Sequence, residues 1–485
     1  MKNWRLNFVL GIILLFGAAI VGRLVYLQII QGGHYGAMAK GQQKSFQPLF
    51  GERGKILFED GKILAVDASE DGSPRKYLQG NIASQVVGFF GGESIGQYGV
   101  EGFYDDILQG KINFLGKGDN DIEKELKSSD IYLTLDYNIQ FTAEKLLEKA
   151  KKDLDIKSGQ IIVIDPVGGK ISAMANFPNF NPNSYSEAEN FQIFQNGAIQ
   201  KLFEPGSIMK PITMASAINE GKINPNTSYI DVGKLKIGGY AIYNYDNRVW
   251  GEKTMTEVLE KSINTGAVFA ERQLGNELFV KYLNGFGFFE PTNIGLQGEV
   301  YSENKELKKG YEINYATASF GQGIAITPIQ MIKAFSAIAN GGKMANPYIV
   351  KKITGRELEK IQGVGSEISA KEIITPKTAS QVTAMLVSVV ENGYAKAARI
   401  PGYYLAGKTG TAQIPWSMID VNKEGYSGET WQSFIGFGPA FNPKFMIFIK
   451  LDNPKTKTAE YSAVPIFREL AKYIIDYWQI PPDYE

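Results

Sequence analysis

The sequence predicts an α+β protein whose main domain holds a mainly antiparallel sheet flanked by helices. Strand-like runs open this domain, its middle is mostly helical with loops, and strand-like runs return before a closing helix. Because strands at both ends bracket a helical middle, we expect one sheet assembled from both ends of the domain. We place this domain at residues 131–485, after an apolar segment (1–30) and a small polar module (31–130).

Composition narrows the possible chemistry. The chain has 485 residues, 51 basic and 51 acidic, so its formal net charge is zero and nothing indicates nucleic acid as a partner. There is no cysteine and one histidine, His34. These counts exclude disulfides, thiol catalysis and cysteine zinc sites. We therefore expect lysine, tyrosine or a carboxylate to carry any acid–base chemistry.

The N-terminus predicts a membrane anchor. Leu6–Gly22 comprises 17 residues without a charge, close to the length of a spanning helix. Lys2 and Arg5 precede it, which by the positive-inside rule leaves the N-terminus in the cytoplasm and the main domain outside. A cleaved signal peptide is the alternative, with Gly17-Ala18-Ala19 as its small residues. We expect an uncleaved, single-pass anchor because the apolar run does not stop at a clear cleavage site.

Residues 31–130 are polar and rich in glycine. Two short pieces, Lys55–Phe58 and Ser84–Phe90, are strand-like and are separated by glycines. This pattern predicts a small non-catalytic pedestal between the membrane and the main domain.

The main domain is predicted element by element. Asp136 can cap a first helix, because apolar residues recur behind it at spacings of three and four. The further predicted elements are strands Gln160–Asp165 and Lys170–Ala175 around a turn at Pro166–Gly169, helices Ile208–Glu220, Thr256–Leu274 and Pro328–Asn340, strands Gln432–Gly438 and Phe445–Leu451, and a helix over Pro465–Trp478.

Three short motifs carry candidate chemistry, and the first is Ser207-Ile208-Met209-Lys210. Pro205-Gly206 favours a turn before it, so Ser207 is expected near the start of a helix. Residues three apart share a helix face, which brings the hydroxyl close to the amine. A neutral lysine can activate serine as a nucleophile, and free N–H groups at a helix start can bind an oxyanion. The pattern S-x-x-K occurs three times, so alone it is weak.

The second motif is Ser262-Ile263-Asn264, at the end of a helical stretch. Residues two apart do not share a helix face, so a loop suits this pair better. The serine hydroxyl can relay a proton, and the asparagine amide can hold a substrate carbonyl. An ordinary turn is the alternative, since S-x-N recurs at Ser302–Asn304.

The third motif, Lys408-Thr409-Gly410-Thr411, occurs once. On a strand, Lys408 and Gly410 share a face, and the glycine lets another backbone approach closely. The positive charge and the threonine hydroxyls suit a carboxylate ligand. A cation near Lys210 would also lower the pKa of that lysine and make its neutral form accessible.

In this order, with Ser262 55 positions after Ser207 and Lys408 146 positions after Ser262, the trio resembles that of the penicillin-binding proteins and serine β-lactamases. The flanking residues narrow the resemblance to class B, or monofunctional, penicillin-binding proteins. The similar stretches are Glu204–Ser207, Ala406–Gln413, Ser319–Gly323 with Thr327–Gln330, Gly168–Ile171 leading to Phe177–Asn183, and, in the pedestal, Arg53–Ile56 and Gly96–Gly110. The pedestal departs from the family pattern at Phe58 and Glu59, where an acid and a base are usual.

The resemblance implies the transpeptidase fold and a D,D-transpeptidase that cross-links peptidoglycan stem peptides in division or elongation. Ser207 would attack the penultimate D-alanyl carbonyl, with Lys210 as its base. Ser262 and Lys408 would pass a proton to the leaving amine. The remaining site residues would bind substrate: Asn264 the donor's peptide amide, Thr409 and Thr411 the terminal carboxylate, within the strand that contains Gly410.

The resemblance also implies the ligands and partners. β-Lactams would acylate Ser207, and no metal or cofactor would be needed. A polytopic SEDS-family glycosyltransferase is the expected partner, bound through the membrane helix and the pedestal.

Two alternatives stay open on the sequence alone. Residues Gly402–Thr409 match the P-loop pattern G-x-x-x-x-G-K-[ST], which would indicate an NTPase. A P-loop needs a helix starting at its lysine, whereas Gly410 and Pro415 oppose one. Within the same fold, a β-lactamase or a D,D-carboxypeptidase would use water where a transpeptidase uses an amine. The anchor and pedestal favour transpeptidation.

Overall fold

The computed structural model describes residues 4–25, 52–67, 75–92, 94–110, 128–355, 370–419 and 422–485. Residues 26–51, which include His34, and 111–127 of the predicted pedestal lie outside this range. So does Ser73, from one of the three S-x-x-K matches.

Strands stand at both ends of the main domain, and five α-helices follow one another between Met255 and Ala339. The α-helices are α1 Trp4–Val25, α2 Ser84–Val87, α3 Gly99–Phe103, α4 Asp105–Gln109, α5 Tyr137–Leu154, α6 Gly197–Gln200, α7 Lys210–Asn219, α8 Met255–Glu260, α9 Asn264–Leu274, α10 Asn276–Gly285, α11 Glu312–Ala318, α12 Pro328–Ala339, α13 Pro376–Asn392 and α14 Ala463–Trp478. The β-strands are β1 Ile56–Leu57, β2 Ile63–Val66, β3 Lys76–Tyr77, β4 Phe89–Phe90, β5 Gly96–Gln97, β6 Ile131–Leu133, β7 Ser158–Ile164, β8 Ile171–Phe177, β9 Ser228–Asp231, β10 Lys234–Ile237, β11 Tyr240–Tyr243, β12 Gly251–Thr254, β13 Lys343–Met344, β14 Val350–Ile353, β15 Lys371–Glu372, β16 Ala406–Pro415, β17 Tyr426–Gly438 and β18 Phe445–Asp452.

The main sheet has five antiparallel strands in the order β16-β17-β18-β7-β8. Strand β18 pairs with β7, so residues from the two ends of the domain meet in its centre; Lys450 lies opposite Gln160. The predicted antiparallel sheet assembled from both ends is confirmed. Strand β16 lies at one edge, where one side of its backbone is not paired by another strand of this sheet.

Helices cover both faces of this sheet because its strands are apolar on both faces. Every residue of β7 from Gly159 to Ile164 is buried, as is β18 from Phe445 to Leu451. Helix α5 packs on β8, and α14 packs on β17 and β18. The predicted cap is confirmed: Asp136 accepts hydrogen bonds from the first-turn N–H groups of Asn138 and Ile139.

The pedestal strands continue into the main domain. A second sheet has the order β14-β6-β1-β2-β3, so strands from residues 56–77 pair with Ile131–Leu133 and, through it, with Val350–Ile353. Helical turns α2 and α4 both pack on α3, which in turn contacts the small sheet of β4 and β5. Paired strands of two segments resist relative motion, so the pedestal is fixed against the main domain at this sheet.

The strand prediction for Ser84–Phe90 is wrong over its first half, where α2 forms instead. Ala83 takes a left-handed conformation, with φ of 56°, and its N–H donates to the Glu144 carboxyl of α5 at 2.7 Å. Valine and phenylalanine favour strands locally. Docking against α5 overrides that preference and leaves only Phe89–Phe90 extended.

Helix α1 contains most of the predicted anchor. A search of the residues that the structure describes finds no helix that is both long enough and apolar enough to cross a membrane. The predicted anchor therefore stays a prediction.

Candidate active site

Ser207 lies in a short 3₁₀ turn, Gly206–Met209, that leads directly into α7. Gly206 has φ of +57°, and its N–H donates to the Gly321 carbonyl at 2.9 Å. A Cβ at Gly206 would lie 2.9 Å from the Ala412 side chain of β16. Glycine is therefore required where the serine segment meets the edge strand. Ser207 itself is partly exposed, as a nucleophile that meets substrate must be.

Lys210 is the first residue of α7 and is completely buried. Its Nζ lies 2.5 Å from the Ser262 carbonyl oxygen, 2.8 Å from Asn264 Oδ1 and 3.2 Å from Ser262 Oγ. The first two atoms can only accept hydrogen bonds. A neutral amine has two hydrogens for them and keeps one lone pair for a hydroxyl. The three contacts fit either protonation state, and burial favours the uncharged amine, the form that can act as a base.

The second motif joins two helices. Helix α8 ends at Glu260 and α9 begins at Asn264, and Ser262 between them has φ of +54°. The predicted continuous helix Thr256–Leu274 is therefore wrong, while the loop expected for the motif is present. Because the helix is interrupted here, both Ser262 and Asn264 contact the amine of Lys210.

The third motif lies on edge strand β16. Lys408 is completely buried, and its Nζ donates to Ser262 Oγ at 2.9 Å and to the Thr409 carbonyl at 3.1 Å. A Cβ at Gly410 would lie 3.1 Å from the Pro205 carbonyl. Lysine and glycine thus face the serine segment together, as the strand period predicts. Thr411 is partly exposed, and its Oγ1 accepts the Ala459 N–H at 3.2 Å.

The electrostatics of the cleft are set by two buried lysines that lack a counter-ion. Burial lowers the pKa of Lys210 well below its usual 10.5, and the nearby charge of Lys408 lowers it further. Burial alone lowers the pKa of Lys408 to about 7. Within the described residues, no carboxylate is bonded to either lysine. Both groups therefore give up their protons more readily than an exposed lysine does.

A buried carboxyl lies just upstream of the serine. The Tyr426 hydroxyl of β17 donates to Glu204 at 2.9 Å, and burial raises the pKa of Glu204 to about 7. Glu204 thus ties the serine segment to β17. The sequence predicts no separate role for Glu204, which belongs to the flanking stretch Glu204–Ser207.

The structure gathers the predicted site residues around one cleft. Ser262 Oγ bridges Lys210 and Lys408, Asn264 contacts Lys210, and the 408–411 strand packs against the segment that carries Ser207. The amine of Lys210 is hydrogen-bonded to the second motif rather than to Ser207. No group of acidic residues or histidine in the described ranges is arranged to hold a metal ion.

Strand β16 contradicts the P-loop alternative. Residues 406–415 are extended, and each of residues 406–413 is paired with β17. A P-loop lysine must begin a helix, because the helix N-terminus binds the phosphates. Lys408 instead lies inside a strand.

The site combines an edge strand with a buried lysine, a serine at a helix start and a second serine between two amines, which is the pattern of a serine acyl-transfer enzyme. The comparisons with known proteins agree with this class. Residues 159–472 match the model of the penicillin-binding protein transpeptidase domain, and residues 53–118 match that of the penicillin-binding protein A dimerisation domain. The chain therefore belongs to the penicillin-binding protein family, as a class B serine-type D-Ala-D-Ala transpeptidase.

Individual relatives are consistent with this membership. Stage V sporulation protein D of Bacillus subtilis is 33% identical over 434 residues, which cover 85% of this chain and 66% of that protein. A probable peptidoglycan D,D-transpeptidase, PbpC of Pseudomonas aeruginosa, is 30% identical over 460 residues, or 90% of this chain and 77% of the relative. This chain thus spans about two thirds to three quarters of their length.

Solved structures resemble the whole fold. The crystal structure of penicillin-binding protein 3 from Mycobacterium tuberculosis superposes with a TM-score of 0.77 at 28% identity, over 89% of this chain and 97% of that one. The same protein in complex with aztreonam gives the same values.

Proposed function

We propose that this chain cross-links peptidoglycan stem peptides through an acyl-enzyme formed on Ser207. The observation that carries the proposal is the chain of contacts from Lys210 through Ser262 to Lys408, buried beside the serine segment without a counter-ion. A buried base with a depressed pKa next to a partly exposed serine is the arrangement that nucleophilic catalysis requires.

Acylation starts at the Ser207 hydroxyl. Its oxygen attacks the carbonyl carbon of the penultimate D-alanine while the neutral amine of Lys210 takes the hydroxyl proton. By analogy with the family, the backbone N–H groups of Ser207 and Thr411 hold the oxyanion of the tetrahedral intermediate. Edge strand β16 can present such a group because one side of its backbone lacks a strand partner in the sheet.

The nitrogen of the departing D-alanine must gain a proton, and Lys210 holds the one taken from Ser207. Ser262 Oγ lies 3.2 Å from Lys210 Nζ and 2.9 Å from Lys408 Nζ, so it can pass a proton from the charged amine toward the departing nitrogen. Terminal D-alanine then leaves as a neutral amine. An amine of a second stem peptide then attacks the ester carbonyl carbon and gives up one proton, which Ser262 passes to the neutral Lys210. The new peptide bond forms as the bond to the Ser207 oxygen breaks, and Ser207 takes that proton from Lys210.

Substrate binding is assigned to the remaining motif residues. Asn264 Oδ1 accepts from Lys210, and its Nδ2 donates to the Tyr243 carbonyl at 2.9 Å. One lone pair and one hydrogen of that amide stay available for the donor peptide. Thr409 and Thr411 lie on the strand of Gly410 and would bind the terminal carboxylate beside Lys408.

The test is covalent labelling of the full-length chain by a fluorescent penicillin. Ser207→Ala should abolish labelling, whereas Ser302→Ala, from the other S-x-x-K match in the described residues, should leave it unchanged. A peptide map of the penicillin adduct should locate the added mass on Ser207. Labelling that persists in Ser207→Ala would exclude Ser207 as the nucleophile.

The choice of acceptor is tested with a stem peptide that ends in D-Ala-D-Ala. A transpeptidase should yield cross-linked product along with free D-alanine. Release of D-alanine with only hydrolysed peptide would assign the chain to the carboxypeptidases instead.

We also propose that the chain is a single-pass membrane protein with its catalytic domain outside the cytoplasm. The uncharged run Leu6–Gly22 behind Lys2 and Arg5 supports this proposal. The family resemblance adds a SEDS-family glycosyltransferase as partner, bound through the anchor and pedestal. The full-length chain should sediment with membranes and co-purify with that partner, and mature protein beginning near Ile20 would reverse the assignment of an uncleaved anchor.

A further inference from the structure

A small hairpin stands beside the second motif, separate from the main sheet. Strands β10 and β11 pair through four residues each, with Lys234 opposite Tyr243, and turn at Gly238-Gly239. Both glycines have positive φ, as a two-residue turn that matches strand twist requires. A two-stranded hairpin alone is marginally stable in water, so this one must be held from outside.

A buried carboxylate fixes the hairpin to the second motif. Asp231, only 1% exposed, accepts hydrogen bonds from Thr265 Oγ1 at 2.6 Å, from Asn244 Nδ2 at 2.9 and 3.0 Å, and from the Trp250 N–H at 2.8 Å. Thr265 follows Asn264 directly, and its N–H donates to Asn244 Oδ1 at 3.2 Å. Burying a carboxylate is unfavourable unless donors surround it, as they do here.

The hairpin also reaches the catalytic amine. The Tyr243 carbonyl accepts from Asn264 Nδ2, whose Oδ1 accepts from Lys210. Two hydrogen bonds therefore connect the end of β11 to the proposed base. A ligand bound at the end of β11 would therefore lie close to the second motif.

The two faces of the hairpin differ in character. Ile237 and Ile242 are buried in a small cluster with Val268 and Phe320. Successive side chains of a strand point to opposite faces, so every second residue of β10 and β11 lies on the outer face. The cross-strand register places two lysines beside a tyrosine there. The residues of this outer face are Lys234, Lys236, Ala241 and Tyr243.

The charges of the outer face are unbalanced. All four of its residues are exposed, and none is acidic. Within the part of the chain that the structure describes, Lys234 and Lys236 make no ion pair. Two like charges two residues apart on one strand face repel, which disfavours this face unless an anion binds there.

We propose that the outer face of the β10–β11 hairpin is a substrate subsite that binds the carboxylates of the stem peptide beyond its reacting D-alanine end. Lys234 and Lys236 pair with those carboxylates, and the Tyr243 ring contacts the apolar part of the peptide. Lys234 is a cross-strand neighbour of Tyr243, so its Cα lies within about 5.5 Å of a residue bonded to the second motif. This inference rests on the proposed function.

The experiment compares charge reversal on the hairpin with the same reversal elsewhere. Lys234→Glu combined with Lys236→Glu should raise the KM for a synthetic stem pentapeptide about tenfold, with kcat little changed, because each exposed ion pair contributes modestly. Acylation by penicillin, which fills only the cleft, should change little. The control is Lys343→Glu with Lys371→Glu, on the exposed two-stranded sheet β13–β15, which should leave both quantities unchanged.

A second arm identifies the ligand groups. Amidating the side-chain carboxylates of the pentapeptide should raise its KM with the unmodified chain and should lower it with the charge-reversed variant, whose glutamates repel carboxylates. An unchanged KM in that variant, or equal binding of the amidated peptide by the unmodified chain, would overturn the subsite. Loss of penicillin acylation in the variant would overturn it as well, because the lysines would then act on the acylation centre. Failure of the proposed function would be seen in a different experiment. In that case penicillin would label the Ser207→Ala variant as well as the unmodified chain.

Discussion

The pedestal and the catalytic cleft both bury charged groups, but only the pedestal pairs them with opposite charges. In the pedestal, Glu101 is completely buried between Arg53 and Arg75, with contacts of 2.6 and 2.8 Å. In the cleft, Lys210 and Lys408 are equally buried, and their hydrogen-bond partners are uncharged.

The difference appears in the pKa values. Burial acts to raise the pKa of Glu101, but the two guanidinium groups outweigh it and hold that pKa below its ordinary value. Glu101 therefore stays ionised and serves the fold. Burial lowers the pKa of Lys210, and the charge of Lys408 adds to the effect. A buried charge with partners is structural, whereas a buried amine without one is available for proton transfer.

The largest expected effect comes from removing the amine of Lys210. Lys210→Met fills a similar volume and should slow acylation by penicillin about 100- to 10,000-fold, as loss of a general base does. Its melting temperature should fall only modestly, because two hydrogen bonds are lost but no buried charge loses a partner of opposite charge. Stopped-flow acylation and thermal unfolding measure the two quantities.

The matched control for that variant is Lys450→Met. Lys450 is also buried in the main sheet but pairs with Asp452. This variant should acylate at nearly the normal rate and lose stability. Equal acylation rates in the two variants would remove Lys210 from the proposed mechanism.

A second variant removes the carboxylate that Arg53 and Arg75 share in the pedestal. Glu101→Gln leaves Arg53 and Arg75 buried without their shared carboxylate, so the free energy of unfolding should fall by about 3–5 kcal/mol. Acylation per folded molecule should stay unchanged because the cluster lies in the pedestal. Denaturant unfolding and active-site titration test the two statements. A loss of stability below about 1 kcal/mol would contradict the comparison.

The smallest effect is a shift in pH dependence. In the proposed mechanism acylation needs the neutral amine of Lys210, so its rate should fall as pH falls through that lysine's depressed pKa. Lys408→Met removes the neighbouring charge, so the pKa of Lys210 should rise and the acid limb should move to higher pH. Second-order acylation rates from about pH 5 to 9 measure this shift. A limb that stays in place would show that Lys408 does not act on Lys210.

The sequence predicted the three motifs and the antiparallel sheet because both are local patterns. Ser207, Lys210 and Lys408 stand in short chemical signatures, and alternating or continuous apolar runs marked β7 and β18. The break at Ser262 was harder to predict. Its left-handed conformation depends on contacts with Lys210 and Lys408.

The contacts that sequence reasoning missed join residues far apart in the chain. Arg53 meets Glu101 across 48 positions, and Thr265 meets Asp231 across 34. No spacing rule connects such pairs, since sheet topology and helix packing decide them. The wrong strand at Ser84–Phe90 has the same origin, because Glu144 in α5 determines how Ala83 begins that turn.

The pairing of β18 with β7 has a consequence for how the protein acquires its shape. Lys450 and Gln160 are 290 positions apart, so the centre of the sheet closes only after nearly the whole chain has been synthesised. Contacts of such long range slow folding, because a large loop must close before they form. A nascent chain that ends before Phe445 lacks β18, so β7–β8 and β16–β17 would be separate hairpins. The segment that contains Ser207 would then pack on β16 without the rest of the main sheet.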